Sequence, residues 1–369
     1  MAARRRGGPV RIRVPMPDRP YDVVLARDYG ALASELARLG LGRRAFVLTD
    51  RAVARHHGPA VARAVRAAGL AGAGAVLKGG EREKSLARYE RVLGWMLRAG
   101  VERGDTLVAL GGGVVGDLGG FAAATYLRGI ALVQLPTTLV AIVDSAIGGK
   151  VGVNLAQGKN LAGAFHPPRL VYGTLSALAS LPTRELKSGL AEVVKAGMVG
   201  DARLIRHLEQ HAIAILAGEA APLQTAIARA IRVKAAVVAA DEHEQGRRLI
   251  LNYGHTIGHA IEAATGYRRF RHGEAVALGM AAAARLGVES GVTPESVAER
   301  QNRLLELLDL PTRARALPVP AILDKLRFDK KIRNGKLRFV LTPTIGSASV
   351  REQPVGRHLS SAILSITRN

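Results

Sequence analysis

The 369-residue sequence predicts an α/β protein, in which a doubly wound domain (residues 1–180) precedes a mainly α-helical domain (residues 181–369). Three observations predict this arrangement: strands alternate with helices in the first half, helices dominate the second half, and a glycine-rich segment joins a strand to a helix. The chain length also favours two domains, because single cores rarely grow beyond about 250–300 residues.

Short apolar segments in the first half have the length and composition of buried strands. These segments are residues 21–26, 44–50, 73–80, 105–113, 131–138 and 169–173. Helical patterns at residues 58–69 and 85–100 separate several of them. Such alternation is typical of a mostly parallel sheet covered by helices.

From about Leu181 the pattern becomes helical, with glycine and proline between the segments. The predicted helical segments are residues 183–218, 222–241, 252–265, 273–290 and 294–309. Two late segments, residues 336–342 and 347–352, are expected to form a strand pair. We expect the domain boundary near residues 174–183.

The composition excludes several classes of protein. The chain has no cysteine, which excludes disulfides, thiolate metal ligands and thiol nucleophiles and fits a reducing cytosol. It has no run of eighteen apolar residues that could span a membrane. The basic N-terminal segment lacks the apolar stretch of a secretion signal. We therefore expect a cytoplasmic protein without membrane contact.

The net charge of +23 is compatible with a nucleic-acid-binding protein. However, the arginines are scattered and aromatic residues make up only 4% of the chain, so no stacking platform for single strands is evident. We favour a generally basic surface that attracts anionic substrates, with no nucleic-acid partner.

The segment LVALGGGVVGDLGG passes from an apolar strand through glycines into a helix. Gly111, Gly113 and Gly116 form a G-x-G-x-x-G pattern, which lets a pyrophosphate approach backbone N–H groups at a helix N-terminus. The alternative is a glycine-rich helix that packs tightly on the sheet. Asp50 ends a strand and is a candidate for binding a ribose hydroxyl or, equally, for a helix N-cap. The pattern favours a Rossmann-like first domain.

Several charged residues interrupt apolar or glycine-rich segments. Lys150 and Lys159 each follow a glycine, and we expect them on loops as anion contacts. Asp144 lies in an apolar stretch, where a buried carboxylate needs a partner, and these two lysines are candidates. Lys234 interrupts the apolar stripe of a helix, which favours an anion contact over a snorkelling side chain.

The motif LNYGHTIGHA places two histidines four residues apart. On a helix over 252–265, one face carries Asn252, His255, His259 and Glu262. The apolar residues of this helix lie opposite, so the histidines are off the core stripe. Nitrogen and oxygen donors without cysteine suit zinc or a similar divalent ion. Spacing alone leaves the ligands open among Glu192, His255, His259, His272 and Glu274.

Six long motifs resemble, in the same order, those of the 3-dehydroquinate synthase family. They are GGGVVGDLGGFAAATYLRG, LPTTLVAIVDSAIGGKVGVN, GKNLAGAFHPP, LPTRELKSGLAEVVKAG, LNYGHTIGHAIE and HGEAVALGM. The resemblance spans roughly residues 44–346. It departs at Arg51-Ala52, where the family often has Thr-Asn, and at Ala146, where a serine is common.

The resemblance implies a cytosolic, homodimeric lyase of the shikimate pathway, which leads to the aromatic amino acids. Such an enzyme binds NAD and a divalent metal, zinc or cobalt. It converts 3-deoxy-D-arabino-heptulosonate 7-phosphate to 3-dehydroquinate and phosphate. The steps are transient oxidation by NAD, phosphate elimination, re-reduction, ring opening and aldol closure.

The resemblance also implies roles for individual residues. The implied metal ligands are Glu192, His255 and His272. The implied substrate-side residues are Arg128, Lys150, Asn160, Lys195, Lys234, Glu244, Arg248, Asn252, His259 and one of Lys330 and Lys331. The implied NAD set is Asp50, Glu81, Lys84, Gly112, Gly113, Val114, Asp117, Thr137, Thr138, Asp144, Lys159, Ser180 and Glu185. Asp144 and Glu244 are expected to orient their neighbours.

Two other enzyme classes share parts of this pattern. One is another sugar phosphate cyclase, and the motifs around Lys150, Asn252 and His259 favour dehydroquinate synthase over it. The other is a metal-dependent polyol dehydrogenase, which would release NADH and would not need so many anion contacts.

Overall fold

The computed structural model describes residues 8–17, 19–327, 336–354 and 356–368. It divides into two compact units, Met1–Leu181 and Pro182–Asn369. Lys330 and Lys331 lie outside the described residues. No helix in the described ranges has both the length and the apolar character needed to cross a membrane.

A seven-stranded sheet forms the centre of the first unit. The strands of this unit are β1 (Val10–Val14), β2 (Tyr21–Ala26), β3 (Ala45–Asp50), β4 (Gly74–Leu77), β5 (Thr106–Gly111), β6 (Ala131–Pro136), β7 (Lys150–Leu155), β8 (Gly158–Phe165) and β9 (Leu170–Thr174). The strand order is β1-β2-β9-β6-β5-β3-β4, and all neighbours are parallel except β1 and β2. The predicted doubly wound sheet is therefore confirmed.

Helices cover both faces of this sheet. They are α1 (Leu32–Arg38), α2 (Arg51–Ala67), α3 (Leu86–Arg98), α4 (Gly113–Thr125) and α5 (Leu175–Leu178), with 3-10 helices at Glu81–Glu83 and Tyr126–Arg128 and a π-helical turn at Ala141–Ser145. Alternate residues of β5 enter different cores: Leu107 joins one apolar cluster and Val108 joins the other. Burial on both faces explains why the parallel strands are continuous apolar runs in the sequence.

Two features of the first unit differ from the prediction. The edge strand β1 was not predicted, although its alternating sequence VRIRV fits a strand with one exposed face. The segment predicted as lysine-bearing loops is the antiparallel hairpin of β7 and β8, so Lys150 and Lys159 lie in strands. The hairpin was not predicted because its glycines are atypical of strands. They are needed for close packing of the two strands, since a Cβ on Gly152 would lie 2.5 Å from the carbonyl oxygen of Ala162.

The second unit is mainly helical, as predicted. Its helices are α6 (Thr183–Gly200), α7 (Ala202–Leu216), α8 (Ala220–Ala240), α9 (His255–Ala264), α10 (His272–Glu289), α11 (Glu295–Leu307), α12 (Val319–Arg327) and α13 (Arg357–Ser365), with a 3-10 helix at Arg247–Asn252. Its strands are β10 (Ala314–Arg315), β11 (Lys336–Thr344), β12 (Ser347–Pro354) and β13 (Thr367–Arg368). The predicted late pair is confirmed as the antiparallel hairpin of β11 and β12.

The predicted helix over residues 183–218 is two helices. Asp201 follows α6 and caps α7, because its Oδ1 accepts hydrogen bonds from the backbone N–H groups of Arg203 (3.0 Å) and Leu204 (3.2 Å). The apolar stripe predicted for residues 252–265 is confirmed, since Ile257 and Ile261 are buried in the core of this unit.

A buried carboxylate anchors β1, β2 and α1. Asp22 is 7% exposed and accepts hydrogen bonds from Arg11 Nη1 (2.8 Å), Arg13 Nη1 (3.1 Å) and Arg38 Nη2 (3.1 Å). Burial opposes ionisation of this carboxyl, but the hydrogen bonds from the three arginines prevail and lower the pKa of Asp22.

We predict that Asp22→Asn lowers the free energy of unfolding at pH 7 by about 1–3 kcal/mol, because three charge-assisted hydrogen bonds are weakened. A carboxyl with a lowered pKa in the folded state stabilises the fold above its unfolded-state pKa of about 3.9. This stabilisation is lost as the pH falls through the lowered value. Urea denaturation at several pH values should therefore show that the difference in free energy of unfolding between variant and wild type becomes smaller below about pH 4.

The matched control is Asp28→Asn, because Asp28 is exposed and its carboxylate accepts a hydrogen bond from the nearby Gly30 N–H rather than from an arginine. We expect this control to unfold like wild type throughout. An Asp22→Asn deficit of the same size at pH 7 and at pH 3 would contradict the account.

Candidate functional site

The carboxyl ends of β3, β5 and β6 lie side by side in the first unit. Thr49 is paired with Leu110, and Gly111 is paired with Pro136. The sheet extends from β3 to β4 in one direction and from β5 to β6 in the other, so the strand order reverses between β3 and β5. Open parallel sheets bind ligands in the crevice at such a switch point.

The glycine loop after β5 lies at this switch point. Gly112 is the N-cap of α4, and no side chain in the described part of the chain caps this helix. A Cβ on Gly112 would lie 3.0 Å from Thr138 Cγ2, and one on Gly113 would lie 3.2 Å from Ser145 Oγ. The loop is therefore a close-fitting cradle of backbone N–H groups that suits the pyrophosphate of a dinucleotide.

The later glycines of the motif have a packing role. A Cβ on Gly116 would lie 2.9 Å from Gln134 Oε1, and one on Gly120 would lie 2.3 Å from Val151 Cγ1. These contacts bring α4 close to β6 and β7. The packing interpretation of the motif is therefore confirmed for Gly116 and Gly120, and dinucleotide binding at Gly112 and Gly113 stays a prediction.

A polar network surrounds Lys84, which is buried. The ammonium group of Lys84 donates to the carboxylate of Asp117 and to the side-chain oxygen of Asn160. Asn154 Oδ1 accepts the Asn160 N–H (2.9 Å), while Asn154 Nδ2 donates to Glu81 Oε1 (2.8 Å). Burial raises the pKa of Asp117 to about 6, despite the adjacent Lys84. Sequence reasoning missed Asn154, whose only signal was its place within a long motif.

Other residues of the predicted NAD set have defined local contacts. Asp50 Oδ1 accepts the Val53 N–H (3.0 Å), which bears out the N-cap interpretation for α2. Ser180 Oγ lies 2.9 Å from His57 Nε2. Asp144 was expected to be buried, but it is half-buried in the π-helical turn, where a wider helix exposes one side.

Arg128 belongs to a strained turn. Arg128 has a φ of 66° and the preceding Leu127 has a φ of 50°, both in the left-handed region that favours glycine. The Arg128 side chain is exposed, as is that of Lys150. Consecutive left-handed residues cost energy and concentrate at functional sites.

The second unit brings four ionisable residues together from three helices. Glu192, in the middle of α6, is 1% exposed and forms a 2.5 Å ion pair with Lys195 on the next turn. Its Oε1 lies 3.5 Å from Nε2 of His255 on α9 and 3.4 Å from Nε2 of His272 on α10. All four residues were predicted for the site, and the structure brings them together.

His255 presents one nitrogen to this cluster. Its Nδ1 lies 3.1 Å from the Tyr253 carbonyl oxygen, which can only accept, so Nδ1 carries the proton. Burial, with the nearby charge of Lys195, lowers the pKa of His255 to about 3 and keeps the ring neutral. The lone pair of Nε2 therefore faces the Glu192 carboxylate.

The donor spacing fits a metal ion. In a tetrahedral site with bonds of about 2.0–2.2 Å, ligand atoms lie about 3.3–3.6 Å apart. The 3.4 and 3.5 Å separations between Glu192 Oε1 and the two Nε2 atoms fall in this range. Two imidazoles and one carboxylate are a common ligand set for a catalytic divalent ion.

His272 is held from both sides. Its Nδ1 lies 3.2 Å from Glu262 Oε2, on the opposite side of the ring from Glu192. Burial disfavours the charged ring, but hydrogen bonds to Glu192 and Glu262 outweigh this effect and raise the pKa of His272 to about 10. Glu262 was noted on the histidine face, but its contact with His272 was not predicted.

His259 is exposed and lies next to this cluster. Its ring centroid is 5.2 Å from that of His255 and 5.8 Å from that of His272. One donor atom from each of these three histidines lies within 4.8 Å of the others. The geometry thus offers two possible ligand triads: His255 and His272 together with Glu192, or the same two histidines together with His259.

The predicted helix over residues 252–265 is wrong at its start. The preceding 3-10 helix ends at Asn252, and Gly254, with a φ of 75°, is the N-cap of α9, which begins at His255. Asn252 therefore does not share a helical face with the histidines. Its Nδ2 instead donates to Glu244 Oε1 (2.8 Å).

Glycines allow α9 and α10 to touch backbone to backbone. A Cβ on Gly279 would lie 1.9 Å from the Gly254 carbonyl oxygen, and one on Gly258 would lie 2.9 Å from the Ala275 carbonyl oxygen. A Cβ on Gly273 would lie 1.8 Å from the Ser188 carbonyl oxygen, which brings α10 equally close to α6. These contacts set the distances between Glu192, His255 and His272.

The remaining candidates of the second unit differ in burial and in their local contacts. Lys234 and Arg248 are buried, which excludes the snorkelling interpretation for Lys234. Glu185 pairs with Arg271 (3.0 Å). Glu274, an open ligand candidate in the sequence, is hydrogen-bonded by Arg184 at 2.6 and 2.7 Å.

The chain is similar to known proteins over most of its length. Residues 74–188 match the family profile described as 3-dehydroquinate synthase N-terminal, and residues 189–332 match the profile described as 3-dehydroquinate synthase C-terminal. A curated relative named 3-dehydroquinate synthase, from Nostoc punctiforme, is 44% identical over 346 residues, which cover 93% of this chain and 95% of the relative.

Two solved structures are similar over most of the chain. A 2-epi-5-epi-valiolone synthase from Streptomyces hygroscopicus subsp. jinggangensis 5008, with NAD+ and Zn2+ bound, has a TM-score of 0.85 and 29% identity, covering 94% of this chain and 96% of that chain. A 2-deoxy-scyllo-inosose synthase complexed with carbaglucose-6-phosphate, NAD+ and Co2+ has a TM-score of 0.82 and 28% identity, covering 96% and 99%. Together with the matching profiles and the curated relative, these similarities show that the chain belongs to the 3-dehydroquinate synthase family.

Proposed function

We propose that this protein is a 3-dehydroquinate synthase, which converts 3-deoxy-D-arabino-heptulosonate 7-phosphate to 3-dehydroquinate and phosphate. The observation that carries the proposal is the cluster of Glu192, Lys195, His255 and His272, the first three of them buried, in a chain of this family. The cluster combines a divalent-ion site with a fixed cation, as a substrate with a hydroxyl group and anionic ends requires.

The proposal includes two cofactors, NAD and a divalent ion such as zinc or cobalt. When bound, the ion acidifies a substrate hydroxyl and the nicotinamide accepts and later returns a hydride. We assign the dinucleotide to the backbone cradle of Gly112 and Gly113, with Thr138 against it and Asp50 at the end of the neighbouring strand. The Lys84–Asp117 pair is part of the same assignment.

We assign Glu192, His255 and His272 as the metal ligands. Two features support this triad over the three-histidine alternative. Glu192 Oε1 lies at tetrahedral spacing from Nε2 of each of the two histidines, and Glu192 is far more buried than the exposed His259. His259 is then free of the metal and is assigned to proton transfer with the substrate.

The assigned substrate contacts are mainly cations. Lys195, Lys234 and Arg248 are buried, so their charges act in a low-dielectric surrounding where an anion is bound strongly. Arg128, Lys150, Asn160 and Asn252 complete the assigned set, with Glu244 fixing the amide of Asn252. We further assign the protein to the cytoplasm and to a homodimer, on the resemblance described above.

The assay for the proposed activity uses the full chain with the seven-carbon phosphate, a divalent ion and NAD at a small fraction of the substrate concentration. We predict that phosphate and dehydroquinate form in equal amounts, over many turnovers per NAD, because the hydride returns to the substrate. Accumulation of NADH without phosphate would instead indicate a polyol dehydrogenase. Turnover only of other sugar phosphates, such as a seven-carbon sugar phosphate without a carboxylate or glucose 6-phosphate, would indicate a different cyclase.

The ligand assignment predicts different metal contents for two neighbouring variants. His255→Ala removes a proposed ligand, so we expect the purified protein to lose most of its bound zinc. His259→Ala should retain zinc near the wild-type stoichiometry and lose most of the activity, by about 100-fold or more for a general acid–base group. Elemental analysis of dialysed protein measures the zinc content of both variants, and the phosphate-release assay measures their activity. Equal zinc loss in the two variants would contradict the assignment.

A further inference from the structure

We infer that Glu262 is a positioning residue for His272, whose carboxylate holds the imidazole in the orientation that presents Nε2 to the divalent ion. The inference rests on the proposed metal site and extends it, since Glu262 is not one of the three assigned ligands. It assigns Glu262 a role in metal affinity without direct contact with the metal.

The contact comes from the packing of α9 on α10. Gly258 of α9 lies against Ala275 of α10, where a Cβ would be only 2.9 Å from the carbonyl oxygen. One turn further along α9, Glu262 is 6% exposed and faces the first residue of α10, His272. The 3.2 Å separation between Glu262 Oε2 and His272 Nδ1 follows from this close approach.

Glu262 contacts the side of the ring that faces away from the proposed metal position. Nε2 of His272 lies 3.4 Å from Glu192 Oε1, whereas Nδ1 of the same ring faces Glu262. A carboxylate that accepts the Nδ1 proton leaves the lone pair on Nε2 when the ring is neutral. The same contact makes the ring a stronger donor, and such partners of metal-bound histidines affect affinity by about 10–100-fold.

His272 depends on such a partner more than His255 does. The His255 ring is buried, and its Nδ1 is fixed by the carbonyl of Tyr253, two residues away in its own chain segment. The His272 side chain is 34% exposed at the N-terminus of α10, and its Nδ1 partner comes from another helix. A side-chain substitution can therefore remove the restraint on His272 while leaving the backbone in place.

The test measures metal affinity of the full-length, metal-free protein by competition with a chelator, for Zn2+ and for Co2+. Glu262→Gln keeps the shape of the side chain and removes its charge, and we expect about 10–100-fold weaker binding. We also expect a changed visible absorption spectrum of the cobalt-loaded protein, which a purely structural role would leave unaltered. The matched control is Glu289→Gln on α10, the helix that carries His272. The Glu289 carboxylate accepts hydrogen bonds from Arg285 and Ser361, and this variant should bind both ions like wild type.

A second pair of variants separates positioning from general stability. In a His272→Ala background, Glu262→Gln should weaken binding no further, because its effect acts through His272. Equal weakening in both backgrounds, or wild-type affinity of Glu262→Gln, would overturn the inference. If the wild-type protein bound neither ion, the proposed metal site itself would fail, and this inference with it.

Discussion

The second unit depends on one buried charge, the carboxylate of Glu192. A carboxylate that is 1% exposed is costly unless it is paired, and breaking such a pair costs about 3–5 kcal/mol. Lys195 supplies one partner from the same helix. His255 and His272 also contact this carboxylate, so three separate helices must meet close to one side chain.

That requirement explains where glycine occurs in the histidine motifs. Gly258 and Gly279 let α9 and α10 touch through their backbones, and Gly273 does the same between α10 and α6. Gly254, with its positive φ, is the N-cap of α9 and separates it from the 3-10 helix that ends at Asn252. In the first unit, Lys84 has a role comparable to that of Glu192 in the second, because its buried ammonium group binds both Asp117 and Asn160. Function and packing therefore constrain the same short segments.

The sequence predicted the regular parts of this structure well, because apolar runs and helical stripes report burial directly. The parallel strands and the apolar stripe of Ile257 and Ile261 are examples. Prediction from the sequence failed where glycines or polar contacts decide the conformation. The examples are the hairpin of β7 and β8 and the break before α9 at Gly254. The resemblance selected Glu192 among the possible ligands. The Glu262–His272 contact depends on the crossing of two helices, which spacing within one helix does not encode.

The most direct test of the account is X-ray absorption spectroscopy of the zinc-loaded protein, compared with its His259→Ala variant. We predict that two imidazoles and one carboxylate of the protein bind the zinc and that the variant gives the same spectrum. Three imidazole ligands in the wild-type protein, reduced to two in His259→Ala, would show that His259 replaces Glu192 and would contradict the central role of the buried carboxylate.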